Sequence, residues 1–294
     1  GSNVLVIGLR GLGAEVTKNI ILAGVKSITL MDSKKLTFFD KKSQFLAAYE
    51  AIGQNRATAS QEKAQILNPM VDVKVDEGNI KSKNDEFFAS FDVILATDCN
   101  LHSLLYLNSL CRKYSIKFFC ADVFGSYGYI FTDLQNHVYA EEQKMKSKQE
   151  KLTVKKTIIY ESLKSSLEID WSTEKSVKKL KKMDSTYFLI RILLNFRNKV
   201  RRNPSPLHEV EDMQLLQQLR QKTLKSLKVE NIIHIEDKDL QMVFSQLSPI
   251  CAIIGGVLAQ EVIKALSQHG EPYKNLFLFN PNNLVGQVIN LEKN

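Results

Sequence analysis

Gly8-Leu9-Arg10-Gly11-Leu12-Gly13 follows the apolar run Val4-Leu5-Val6-Ile7 and opens a helix-like stretch. A glycine turn between a strand and a helix is where nucleotide-binding α/β folds seat a pyrophosphate, on backbone N–H groups at the helix N-terminus. Gly8 and Gly13 fill the outer positions of the pattern G-x-G-x-x-G. The middle position, where backbone must come close to phosphate, is Arg10. A guanidinium matches an anion in charge, but its bulk takes the space that the glycine leaves open. The expectation is a turn whose Gly8, Gly11 and Gly13 keep their packing role, with the phosphate role lost.

Two acids accompany the turn. Asp32 ends the run "SITLMD", where a dinucleotide fold places a carboxylate for ribose hydroxyls. It reads equally as an ordinary strand-end residue, or as the partner of Arg10. Asp98 ends "FDVILATD" at the carboxyl end of another strand, placed either for a ligand or as a helix cap. Nucleophiles are poorly supported. Cys99 lies close in sequence to His102, but Cys111, Cys120 and Cys251 fall in apolar helix or strand runs and read as core. No C-x-x-C pair occurs and the five histidines are scattered, so no metal site is expected. No residue is assigned as catalytic.

The elements that would position these groups alternate. "NVLVIG", "SITLMD", "VDVKVD" and "FDVILATD" are strand runs, and "IKFFCADVFGSYGYIFTD" supplies two more. "GAEVTKNIILAG", "QNRATASQEKAQILNP" and "LHSLLYLNSLCRKYS" carry helical spacing between them. Strands alternating with helices imply a mostly parallel sheet covered on both faces. The expected organisation is a first α/β part over 3–140, a Lys-rich basic linker or loop over 141–160, a small helical domain over 161–247, and a return to the α/β domain over 248–294. In the last segment Ser248 reads as a helix cap with Pro249 at the first helical position. Gly255-Gly256 cost that helix roughly 2 kcal/mol relative to alanine, which the close approach of another backbone would offset. "NLFLFN" and "LVGQVINL" read as a terminal hairpin.

With 294 residues, a formal charge of +8 and four cysteines, the composition is that of an ordinary globular protein, and the cysteine usage suits a reducing compartment. No apolar run reaches the roughly 18 residues of a membrane span, so no membrane partner is expected. Much of the positive excess lies in "KMKSKQEKLTVKK" and "KSVKKLKK". Without aromatic interleaving or a nucleic-acid motif, these read as solvated faces, and no nucleic acid is expected as partner.

The stretches "GLRGLGAEVTKNIILAGVKSITLMD", "NPMVDVKVD", "SIKFFCADVFGSYGYIFTDL", "EIDWSTEK" and "SPICAIIGGVLAQEVIKALSQ" together resemble the smaller, pseudo-adenylation subunits of SUMO-activating enzymes, in the ubiquitin-like-modifier-activating family. The resemblance runs from residue 8 to about 268. It implies a Rossmann-like, ThiF-type adenylation fold with a small inserted helical domain. It also implies a heterodimer with a larger catalytic subunit, which uses Mg-ATP to adenylate SUMO and then captures it as a thioester. No cofactor is implied in this chain, and a nuclear location is. In the competent half the glycine loop reads G-x-G-G-x-G, where this chain has Arg10. An arginine precedes Q-F-L there, where "DKKSQFL" has Ser43, and a later helix lysine is replaced by Arg56. Asp32 and Asp98 match acidic positions as remnants.

The resemblance further implies an interface helix carrying Ala252, Gly255, Gly256 and Gln260. It implies an N-terminal segment that delivers an arginine to the partner's ATP; Gly1-Ser2 reads as a cloning scar, so that segment is expected ahead of it. The Lys-rich stretch near 144–156 reads as a nuclear-import signal or as a solvated loop. Two alternatives share the turn and the strand-end acids. One is a dinucleotide-dependent oxidoreductase, favoured by Asp32 and opposed by Arg10. The other is a self-sufficient adenylyltransferase, whose usual C-x-x-C pairs are lacking here.

Overall fold

Alternation along β1 (Asn3–Ile7) sets the layers. Val4 and Val6 join one buried cluster, Leu5 and Ile7 the other, as the period of a strand buried on both faces requires. The same alternation repeats in β4 (Val93–Ala96) and β5 (Lys117–Phe124). The computed structural model describes residues 1–144, 151–282 and 285–293. β1, β2 (Ser27–Met31), β3 (Asp72–Asp76), β4 and β5 pair in parallel, in the order β3-β2-β1-β4-β5. β6 (Tyr127–Asp133), β9 (Leu276–Asn280) and β10 (Val285–Ile289) extend this sheet in antiparallel fashion beyond β5. The strand order reverses between β1 and β4, which puts the crevice of an open α/β sheet at their carboxyl ends.

Helices α1 (Gly11–Leu22), α2 (Arg56–Leu67) and α10 (Ser248–Ser267) cover the face of Val4 and Val6. α3 (Asp85–Ala89) and α4 (Leu101–Lys113) cover the other face, together with α5 (Leu163–Leu167), α6 (Glu174–Leu180), α7 (Thr186–Val200), α8 (Glu209–Ser226) and α9 (Asp237–Gln241). The segment 161–247 is helical, yet it does not have a core of its own. Phe188, Ile192, Leu193 and Phe196 of α7 share one cluster with Leu5, Ile94 and Phe118 of the sheet. The apolar side of α7 therefore faces the sheet, and the chain breaks between α6 and α7.

The basic linker expected over 141–160 is corrected. β7 (Asn136–Lys144) and β8 (Lys151–Ile159) pair in antiparallel register from Asn136↔Ile159 to Lys144↔Lys151. Along 153–159, Thr153, Lys155, Thr157 and Ile159 are exposed while the residues between them are half-buried, so the lysines sit on a strand with period-two alternation. The middle of the Lys-rich stretch read as an import signal, 145–150, lies outside the described residues. Ser248 is also corrected: it is the first residue of α10, its hydroxyl makes no capping bond, and Leu247 holds the cap position ahead of Pro249. α10 is long and apolar enough by length and composition to cross a membrane. In this fold it packs against α1, β5 and β6.

Candidate functional site

The glycine turn is built for packing. Gly8 has φ +89°, and a Cβ there would lie 2.3 Å from the carbonyl oxygen of Thr97. The Thr97 hydroxyl donates to the Gly8 carbonyl at 2.9 Å, tying the ends of β1 and β4 together. A Cβ on Gly13 would stand 1.9 Å from the Gly8 carbonyl, so only glycine lets α1 leave the strand this tightly. Gly11 meets Ser43 and Cys251 in the same way, with 2.4 Å to the Ser43 Oγ. Ser43, standing where a competent relative would have an arginine, is thus a buried packing residue.

Arg10 precedes α1 and does not reach into open space. Its Nε donates to Asp40 Oδ1 at 3.1 Å, and its Nη1 lies 3.8 Å from Asp98. Arg56, at the start of α2, grips the same Asp40 with Nε at 3.2 Å and Nη2 at 3.0 Å. Its Nη1 reaches Asp98 at 3.5 Å and Asp32 at 3.7 Å. Lys34 bonds Asp98 at 2.9 Å. From the other side of the sheet Arg197 of α7 bonds Asp122 at 2.6 Å and the Cys99 carbonyl at 2.8 Å. The result is a neutral, mostly buried cluster of four cations (Arg10, Lys34, Arg56, Arg197) and four carboxylates (Asp32, Asp40, Asp98, Asp122).

Asp32 is not the partner of Arg10. Its carboxylate accepts the backbone N–H of Leu9 at 2.8 Å and of Lys34 at 2.9 Å, which fastens the turn to β2. Burial raises its pKa, opposed by Arg56. Burial alone would raise Asp40 as well, but Arg56 and Arg10 outweigh it and hold that carboxyl below its ordinary value. Asp98, also buried, is held lower still by Lys34, Arg10, Arg197 and Arg56. It does not cap α4, where Asn100 accepts the Ser103 N–H instead. Asp40, Lys34, Asp122 and Arg197 escaped the sequence reading, because ion pairs between distant segments leave no periodic trace. The one local hint was "DKKSQFL", read for its serine and not its aspartate.

No thiol here is poised as a nucleophile. All four cysteines are buried and free. Burial, reinforced by Asp98, pushes the Cys99 thiol up to about 12, and burial likewise pushes Cys251 up to about 12. A thiolate nucleophile needs the opposite. His102 is exposed while the Cys99 Sγ turns to the Thr97 carbonyl at 3.2 Å, so the two do not form a pair.

Arg10 and Arg56, the cations nearest the turn, face Asp40 and Asp98: Arg56 bonds both, while Arg10 bonds Asp40 and lies 3.8 Å from Asp98. An anion seated over the turn would meet these carboxylates as well as the guanidinium groups.

The two glycines of α10 differ in setting. Gly255 is buried, and a Cβ on it would stand 2.6 Å from Glu15 Cβ of α1. The close backbone approach expected of the glycine pair is therefore made inside this chain, at Gly255. Ala252, Gly256 and Gln260 lie exposed, one turn apart, and a Cβ on Gly256 meets nothing within 4 Å. Ile253 and Ile263 are exposed beside them. The loop between β2 and α2 adds exposed Phe38, Phe39, Phe45 and Tyr49. It lies against α1 through Ser43 at Gly11, and through Lys18 of α1 over the Phe45 ring.

A strand order of 3-2-1-4-5, a glycine turn at the crevice and antiparallel strands beyond β5 define an adenylation-type α/β fold, and the chain belongs to the ThiF family, which matches residues 1–294. Within that family it groups with proteins named SUMO-activating enzyme subunit 1. It is 44% identical to that of Danio rerio over 95% of this chain and 85% of that protein. To the human protein it is 43% identical, again over 95% of this chain and 85% of that protein. To that of Xenopus tropicalis it is 43% identical over 95% of this chain and 86% of that protein. Nothing among these relatives favours an oxidoreductase, and Asp32 gives each carboxylate oxygen to a backbone N–H, of Leu9 and of Lys34.

Proposed function

We propose that this chain is the non-catalytic adenylation-fold subunit of a two-subunit SUMO-activating enzyme. In this reading the larger second subunit binds Mg-ATP, adenylates SUMO and carries the cysteine that captures it as a thioester. This chain supplies a rigid surface that holds the second subunit in its active arrangement. The observation that carries the reading is the closed ion-pair cluster of Arg10, Asp40, Arg56 and Asp98 over the glycine turn. It gives the turn a structural use that excludes the phosphates. The name "subunit 1" carried by the relatives supports an assembly of more than one subunit.

The surface that suits such a partner combines the exposed side of α10 (Ala252, Ile253, Gly256, Gln260) with Phe38, Phe39, Phe45 and Tyr49. Small residues on α10 let a second helix approach closely, and exposed aromatics are typical interface anchors. A nuclear location belongs to the same proposal. It rests on the family resemblance, since 145–150, within the Lys-rich stretch, lies outside the described residues.

The test is ATP–pyrophosphate exchange with SUMO, followed by thioester formation. The expected result is no exchange by this chain alone and exchange once the second subunit is added. Exchange by the purified chain on its own would overturn the proposal.

A further inference from the structure

The β7–β8 ribbon has one edge partly covered and one edge open. Tyr160 donates its N–H to the Gln135 carbonyl at 2.7 Å, just outside the pairing that runs from Asn136↔Ile159 to Lys144↔Lys151. In an antiparallel ladder, pairs that exchange hydrogen bonds alternate with pairs whose N–H and C=O groups point away. Ala140 shows this on the outer side of β7. Its N–H donates to the Gln268 carbonyl at 2.8 Å, and its carbonyl accepts the Gly270 N–H at 3.0 Å, just past α10. On β8 the same alternation turns the N–H and C=O groups of Thr153, Lys155, Thr157 and Ile159 outward, and they have no partner among the described residues.

An open edge is a template for another strand, and proteins usually blunt it with proline, a bulge or charge. β8 contains no proline, and its register with β7 is uninterrupted. Thr153, Lys155, Thr157 and Ile159 present exposed side chains on one face, Ile159 at 69% and its neighbour across the ribbon, Val138, at 41%. Over 153–159 the one charge on that face is Lys155, which forms no ion pair among the described residues. Its cross-strand neighbour is Ala140, and Glu142 stands two positions further along β7, opposite Thr153. Lys156, on the other face, is taken by Glu141. A second copy of β8 in full-length antiparallel register would set Lys155 against Lys155, and like charges directly opposite are destabilising. A carboxylate at that place is stabilising instead.

We propose that the outer edge of β8 takes up an extended acidic peptide as a third, antiparallel strand. A carboxylate of the peptide meets Lys155, and β-branched residues on either side of it cover Thr153, Thr157 and Ile159. Backbone hydrogen bonds along the edge hold such a strand, and its alternate side chains select it. A two-stranded ribbon is marginal in water, and a third strand adds to its order. The inference is independent of the proposed heterodimer, since it uses neither the second subunit nor SUMO.

The experiment is fluorescence anisotropy on the full chain at low ionic strength, with the labelled peptide Val-Thr-Val-Thr-Asp-Thr-Val-Thr-Val as probe. The expected result is saturable binding. Methylating the amide nitrogens of the two valines nearest the aspartate, which face β8, should abolish it. Methylating those of the two threonines beside the aspartate, which face away, should not. A peptide with lysine in place of the aspartate should bind about threefold more weakly or worse, and Lys155→Glu should reverse that preference. Thr157→Pro removes an outward N–H that the pairing with β7 does not use, so the ribbon should stand while the probe is lost. Adding the second subunit should not displace the probe. A probe that fails to saturate, that binds equally with either pair of amides methylated, that ignores Lys155→Glu, or that the second subunit displaces would overturn the proposal.

Discussion

Asp40→Ala removes the hub of the ion-pair cluster. The Asp40 side chain is 1% exposed and accepts from Arg10 Nε at 3.1 Å, Arg56 Nη2 at 3.0 Å, and the Thr37 N–H and hydroxyl at 2.8 and 2.7 Å. Its loss leaves Arg56, 7% exposed, to share Asp98 and Asp32 at 3.5 and 3.7 Å. Removing one partner of a buried pair leaves an uncompensated charge and costs about 3–5 kcal/mol. The residual contacts to Asp98 and Asp32 favour the lower end of that range. For a domain of this size the melting temperature should fall by roughly 6–12 °C, at about 2–4 °C per kcal/mol. The internal control is Asp72→Ala, which breaks the pair with Lys74, where both side chains are about 60% exposed. That change should cost about 0–1 kcal/mol. Urea unfolding of both variants measures the difference. If Asp40→Ala costs no more than Asp72→Ala, the cluster is not buried and closed, and the exclusion of phosphates loses its basis.

Acid should weaken the fold through the same groups. Asp40 and Asp98 have folded-state pKa values held below the ordinary one, so their contribution is complete above about 3.9 and is lost as pH falls below it. Asp32 is raised by burial and acts in the opposite direction, losing stability as pH rises through its folded value. With two lowered carboxyls against one raised, urea midpoints should drop below pH ~4, and less steeply in Asp40→Ala than in the parent. Gly255→Ala forces a Cβ to within 2.6 Å of Glu15 and should destabilise the chain by about 1–3 kcal/mol. Gly256→Ala meets nothing and should stabilise the isolated chain by up to about 1 kcal/mol, while weakening its pairing with a second subunit in co-purification. The four buried thiols should react with a maleimide only on unfolding; labelling of Cys99 in the native chain would contradict its setting.

Strand and helix positions in the first half were legible because each β-strand is buried on at least one face and each helix carries an apolar stripe. Gly8 and Gly13 were legible because steric demand at a tight turn leaves one residue type. The β7–β8 ribbon was not. Its lysines dominate the composition, and the alternation of Thr153, Lys155 and Thr157 with Val154 and Lys156 is too polar to stand out. The helical segment 161–247 was read as helical, but its sharing of the sheet's core is a tertiary fact: Phe188 and Phe196 look the same whatever they pack on. Arg10 was legible as a departure from the glycine pattern, and its side chain turns to Asp40. Its partner was not legible: Asp32 was the partner weighed, and Asp40 lies in a segment without periodicity.

The closed state of the glycine turn can be tested directly by growing crystals of the chain and soaking them in Mg-ATP. The expected result is Arg10 still bonded to Asp40, at the 3.1 Å seen here, with no triphosphate density over residues 8–13. Ordered phosphates seated on that turn, with Arg10 swung away from Asp40, would contradict it.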